Sequence, residues 1–236
     1  MIPGATSCTG GSSHSLPRVE EARARAWAAA GEAAAAQVED GMEVGLGTGR
    51  AAAAGIRALA RRVAGGLRCR GVPTSRASAA LARELGIRVG RLRGPLDLAF
   101  DGADAVDPGG LIVKGAGGAL VRERLVAQAA AVWLVLVDEP KMTRSLDSWG
   151  RLPVAAIPFG AARVAGELAD LAPRRRPGRS DDGLVLLDLE VPAGADWAAL
   201  AARAAALPGV VDHGLFHSPL GRVLVGRPDG SWSTAG

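Results

Sequence analysis

Asp101, Asp104, Lys114 and Glu123 fall within one window of the chain and have the side-chain types that proton transfer needs. They are threaded through DGADAVDPGGLIVKGAGGALVRERLVAQ (residues 101–128), whose other residues are mostly glycine or small and apolar. Two carboxylates three apart, then a lysine, then a separate glutamate suit proton shuttling at the oxygens and carbon of a carbohydrate. The plainer reading is a loop with Asx turns at Asp101, Asp104 and Asp107, followed by a helix with exposed Arg122 and Glu123. That reading explains the aspartates and leaves Lys114, between LIV and GAGG, without a reason. Of the 28 basic residues only Lys114 and Lys141 are lysine. Two positions are few, and chance is one explanation. The other is that a compact, mobile ammonium is needed where a planar guanidinium does not fit.

A second constellation is GLGTGR (residues 45–50), a glycine turn between a short apolar run and an alanine-rich one. Arg50 stands where a dinucleotide-binding turn has its third glycine, and the lysine of a nucleoside-triphosphate loop is missing. The strand–turn–helix context still points backbone amides at an anion, with the Thr48 hydroxyl and the Arg50 fork beside them. A tight turn with a surface arginine is the alternative, and the turn alone favours neither.

The elements that must position these residues read as strands alternating with helices. Strands are expected at 42–47, 67–72, 96–102, 110–115 and 132–139, and helices at 19–38, 50–64, 76–85 and 119–131, with Ser75 able to cap the third. That rhythm predicts an α/β fold with a mainly parallel sheet. Ligands bind such sheets beyond the carboxyl ends of the strands. Gly47 to Arg50, Thr74-Ser75, Asp101 and Asp138 all follow strands and should gather at one edge. After Trp149 the pattern changes to strand (151–159), helix (160–171), strand (183–191), helix (196–207) and a strand start near 208, a small α+β unit. GRVLVG (221–226) is expected to return to the first sheet. The expected organisation is a tail over 1–18, a main domain over 19–149 plus 213–236, and a small domain over 150–212.

Composition excludes several classes. The 236 residues are 48% hydrophobic and 22% charged, which marks a globular chain. The longest apolar run, AAAVWLVLV (129–137), is too short to span a bilayer, so no membrane partner is expected. The first 17 residues lack a basic start and an apolar signal segment and read as a disordered tail. Cys8 and Cys69 have no metal-type spacing, and a reduced, cytoplasmic setting is the expectation. The net charge is +4, but the basic residues are scattered and carry no recognisable binding motif. Nucleic acid is therefore not an expected partner. PRRRPGR (173–179), the one dense run, reads as a solvated loop.

Six ordered segments resemble the ribose-5-phosphate isomerase family of the A type: DGMEVGLGTGR (40–50), GVPTSRASAALARELGI (71–87), residues 96–130 around the opening window, VDEPKM (137–142), LPVAAIPF (152–159) and LPGVVDHGLF (207–216). The resemblance covers residues 20–230. It implies a Rossmann-like domain with a smaller ferredoxin-like α+β domain, in a homodimer or homotetramer. It further implies interconversion of ribose 5-phosphate and ribulose 5-phosphate in the pentose phosphate pathway, with no metal and no organic cofactor. By the same resemblance Glu123 is the catalytic base. Asp101 and Asp104 are the acidic pair for ring opening and hydroxyl protons, and Lys114 holds the enediolate oxyanion. Gly47, Thr48, Gly49, Arg50, Gly115, Gly117 and Lys141 contact the substrate. The chain departs from the family pattern at Arg50-Ala51, where Ser-Thr is usual, at Ala105 and Ala116, and at DDGL (181–184), where DNGN is common. For the basic residue usual in the first helix, Arg23 and Arg25 are both candidates. Three rivals stay open: an isomerase for another phosphorylated sugar, a non-catalytic sugar-phosphate sensing domain, and a CoA-transferase-like enzyme, which would need a different glutamate context.

Overall fold

The computed structural model describes residues 15–217 and 221–235. Most of the expected tail, with Cys8 and His14, lies outside the described residues. The first helix, α1 (Ser15–Ala36), starts earlier than 19 and takes in residues 15–18. Pro17 is no obstacle there, because a first-turn residue has no intrahelical use for the N–H that proline lacks.

The elements then run β1 (Glu43–Leu46), α2 (Arg50–Ala64), β2 (Arg70–Pro73), α3 (Arg76–Glu84), β3 (Arg88–Val89), β4 (Leu96–Gly102), β5 (Ala105–Val106), β6 (Leu111–Val113), α4 (Leu120–Ala129) and β7 (Ala130–Asp138). After these come β8 (Arg151–Ala156), α5 (Ala161–Glu167), β9 (Arg174–Arg175), β10 (Val185–Glu190), α6 (Trp197–Ala205), β11 (Val210–His213), β12 (Leu215–His217), β13 (Gly221–Gly226) and β14 (Trp232–Ala235). The chain is α/β. A seven-stranded sheet has the order β14-β13-β7-β4-β1-β2-β3, parallel throughout except at β14. GRVLVG returns to it as expected, pairing with β7 in register Val223↔Val135. β7 is buried along its second half because a central parallel strand is covered on both faces, and this is why its sequence reads as an unbroken apolar run. The Ser75 side chain caps α3 by accepting from the Ser78 amide.

A second, antiparallel sheet, β11-β8-β10-β9, is built from residues 151–213, with its own core of Leu152, Val154, Leu187, Leu189 and Trp197. Three short strands, β12-β6-β5, join the two parts. The helix expected over 160–171 is broken into α5 flanked by two 3-10 turns, Pro158–Gly160 and Ala169–Leu171. Pro158 sets the entry, and left-handed Ala172 followed by Pro173 ends the exit. Carboxylates from the small sheet reach the main one. Asp182 pairs with Arg122 on α4, and Asp181 accepts from the Arg76 amide at 2.6 Å. No described helix is long and apolar enough to cross a membrane.

Candidate active site

The parallel sheet sets the geometry. β1, β4 and β7 end side by side, so Gly47, Asp101 and Asp138 emerge at one edge. Gly47 donates its amide to Phe100 O at 2.9 Å, and a Cβ there would run into the Asp101 carboxyl. Only glycine lets the two strand ends approach this closely. Asp101 Oδ1 accepts from the Thr48 amide at 3.0 Å and from its neighbour Gly102 at 2.7 Å.

Lys114 enters from β6, whose end is pinned by the bond from Lys114 N to Gly214 O at 2.8 Å. Its ammonium lies 3.0 Å from Asp101 Oδ2, 3.4 Å from Glu123 Oε2 and 2.5 Å from Gly102 O. All three side chains are 3–4% exposed. Glu123 stands in the first turn of α4, where the helix N-terminus favours an anion. Its Oε2 is close to Lys114 but poorly aligned for a hydrogen bond, so this buried oxygen is weakly satisfied. Burial outweighs the lysine, and with Asp101 also adjacent the carboxyl is pushed up to about 8. Burial alone would lower the Lys114 ammonium. The Asp101 and Glu123 carboxylates overcome that and hold it charged. At Asp101, burial pushes the carboxyl up while Lys114 and two amides pull against it.

A cleft of about 230 Å³ opens over this trio. Lys114 and Glu123 line it, with Asp104, Thr48, Gly49, Arg50, Gly115, Gly117 and Lys141 from the expected set. Asp101 and Gly47 lie behind its wall. Asp104 Oδ2 accepts from the Ala116 amide at 2.9 Å. The Thr48 hydroxyl is engaged with Thr74 Oγ1 at 2.7 Å. Lys141 sits on the turn after β7, 5.0 Å above the Trp149 ring, with its ammonium lowered chiefly by burial. Arg50 begins α2, pairs with Glu20 and lies 4.5 Å over Trp27. Arg50 is thus largely exposed, as the plainer reading of the turn expected, and has a surface acid beside it.

Three cleft residues were weakly marked in the sequence. Arg23, not Arg25, faces the cleft: its Nε donates to Asp138 Oδ2 at 2.7 Å, whereas Arg25 turns to Pro228 O. Asp138 is 1% exposed and its Oδ1 has no partner. Trp27 lies one helical turn after Arg23, which is 5.1 Å over its ring. The spacing of Arg23 and Trp27, four apart on one helix, was the signal that could have chosen between the two arginines. The run 173–179 is not uniformly solvated either. Arg174 and Arg175 are exposed on β9, while Arg176 turns inward.

Among the described residues, no cluster of His, Cys, Asp and Glu is placed to hold a metal ion. Residues 70–230 match the model of ribose 5-phosphate isomerase A (phosphoriboisomerase A). The chain belongs to the ribose 5-phosphate isomerase A family. The enzyme named ribose-5-phosphate isomerase A in Thermomicrobium roseum is 45% identical over 211 residues, 84% of this chain and 88% of that relative. The solved ribose 5-phosphate isomerase A of Methanocaldococcus jannaschii superimposes with a TM-score of 0.81 at 32% identity, over 88% of this chain and 96% of that one. A solved D-ribose-5-phosphate isomerase in complex with phospho-erythronic acid gives 0.82 at 29% identity, over 90% and 98%. These two solved members of the ribose 5-phosphate isomerase A family thus share this chain's fold over nearly their whole length.

Proposed function

We propose that this protein interconverts D-ribose 5-phosphate and D-ribulose 5-phosphate, with Glu123 as the base. The observation that carries the reading is the buried trio. A buried carboxyl whose Oε2 has only a long, poorly aligned contact to the Lys114 ammonium, pushed up to about 8, faces a cleft. Such a carboxylate is a stronger base than one in water and is matched to operation near neutrality. Glu123 removes the C2 proton of the open-chain aldose. Charge moves onto O1, where Lys114 stabilises the enediolate without needing to reorganise. The proton returns at C1, and the O2 hydroxyl proton passes to O1. The two aspartates divide their work. Asp104, on the cleft wall, exchanges hydroxyl protons and assists ring opening. Asp101, behind the wall, keeps Lys114 charged and fixes the Thr48 amide.

The phosphate binds at the other end of the cleft. The helix-capping position of α2 is Gly49, so no side chain occupies the N-terminus of that helix. Arg50 exchanges Glu20 for the phosphate there, with Arg23 and Lys141 nearby. A related solved enzyme is in complex with phospho-erythronic acid, a ligand that carries both a carboxylate and a phosphate, in keeping with this division of the cleft.

The same reading divides the chain into a main domain, 19–149 with 213–236, and a small domain, 150–212, in a homodimer or homotetramer working in the cytoplasm. Phe159, fully exposed near the β11 edge with Ile157 and Val211, supports self-association. The test of function is ribose 5-phosphate in deuterium oxide followed by NMR. The expected product is ribulose 5-phosphate, carrying deuterium at C1 in every turnover where the proton on Glu123 exchanges with solvent before it returns. Absence of interconversion refutes the reading, and equal turnover of other phosphorylated aldoses favours the broader isomerase.

A further inference from the structure

Five residues, Gly115-Ala116-Gly117-Gly118-Ala119, join Lys114 to the helix that carries Glu123. Glycine backbone is the most costly to hold in one conformation. Gly115 and Gly118 both sit at positive φ, 111° and 76°. The segment has one internal bond, Gly118 N to Gly115 O at 3.0 Å, and one outward bond, from the Ala116 amide to Asp104. Its remaining support comes from the small sheet. Arg176 Nη1 donates to Gly115 O at 2.6 Å and to Ala116 O at 3.2 Å. Among the described residues no other side chain donates to these two carbonyls. Arg176 is held in turn by Asp188 on β10, with Nε to Oδ2 at 2.8 Å and Nη2 to Oδ1 at 2.5 Å, both side chains about four-fifths buried. One planar fork thus grips the carboxylate with two nitrogens and the glycine segment with the third. A lysine cannot do both.

We propose that Arg176, anchored by Asp188, is a positioning residue for the isomerisation: it fixes the Gly115–Gly118 segment and so the mutual placement of Lys114, Asp104 and Glu123. It touches no reacting atom. The inference rests on the function proposed above. Loss of the clamp leaves the charges in place and loosens their geometry, and a misplacement of about 1 Å costs on the order of 100-fold in rate.

Arg176→Lys, Arg176→Met and Asp188→Asn in the full chain test this. The measurements are kcat and KM on ribose 5-phosphate, per folded molecule by near-ultraviolet circular dichroism, and amide hydrogen exchange. Arg176→Lys keeps the charge pair with Asp188 and is expected to fold. Its kcat should fall about 10- to 100-fold with KM changed less than about 3-fold. Exchange at amides 116–118 should rise while that of β8 and β10 stays the same. Full kcat per folded molecule in Arg176→Lys, a loss confined to KM, or unchanged exchange at 116–118 overturns the proposal. If neither Arg176 variant folds, Asp188→Asn decides: kcat must fall at least about 3-fold with faster exchange at 116–118, and wild-type values overturn the clamp. If the wild-type protein lacks isomerase activity, the function fails separately, and the exchange rates alone judge the clamp.

Discussion

The two ends of the cleft use the same kinds of charge to different effect. At the Lys114 end, Asp101, Lys114 and Glu123 are 3–4% exposed. At the Arg50 end, Arg50 is 61% and Glu20 55% exposed. Inside, charges interact through a low dielectric, so the trio redistributes its protons and Glu123 holds one up to about 8. At the surface an ion pair is worth about 0–1 kcal/mol and is screened by salt, so Arg50 gives up Glu20 at little cost. On the proposed function, burial serves the chemistry and exposure serves an exchangeable binding contact.

Removing a carboxylate from the buried end should have the largest effect. Glu123→Gln keeps the shape and loses the proton acceptor, so kcat should fall about 10²- to 10⁴-fold with little change in KM or fold. Steady-state kinetics showing near-normal turnover would move the base elsewhere. Next comes Lys114→Arg, which keeps the charge. The site between Asp101, Glu123 and Gly102 O is built around a point donor, and a guanidinium there should cost on the order of 10² in kcat. A fully active variant would mean that the lysine was retained by accident.

The exposed end should respond in KM instead. Phosphate is remote from the reacting carbons, so its binding is shared by ground and transition states. With Arg50 largely exposed, Arg50→Ala should raise KM about 10-fold, or about 1.4 kcal/mol, and leave kcat nearly unchanged. An unchanged KM would leave Arg50 as the surface partner of Glu20 alone. No effect at all is expected from exhaustive chelation. Loss of activity restored by one divalent metal would break the account of both ends.

Legibility in the sequence followed the same divide. β4 (Leu96–Gly102) and α2 (Arg50–Ala64) have the boundaries expected of them, because their apolar patterns are long and their ends are marked by glycine turns. β3, β5, β9 and β14 went unseen, since strands of two to four residues are too short to show a period. In the site, Lys114 stood out because arginine is used almost everywhere else. Asp138 was marked only by its place after a strand, Arg23 only as one of two candidates, and Arg176 did not stand out. Their partners lie far away in sequence, with Arg23 meeting Asp138 across 115 positions, and an arginine-rich chain hides the few arginines that turn inward.

The pH dependence of kcat/KM for ribose 5-phosphate tests the central claim most directly. As the proposed base, Glu123 would act only when deprotonated, and its pKa in the fold is raised to about 8, so the active fraction should grow as pH rises. kcat/KM should climb about tenfold per pH unit below 8 and level off above it, and the residual activity of Glu123→Gln should lack that limb. A wild-type profile flat from about pH 6.5 to 9, or a limb that survives in Glu123→Gln, would contradict a buried glutamate base.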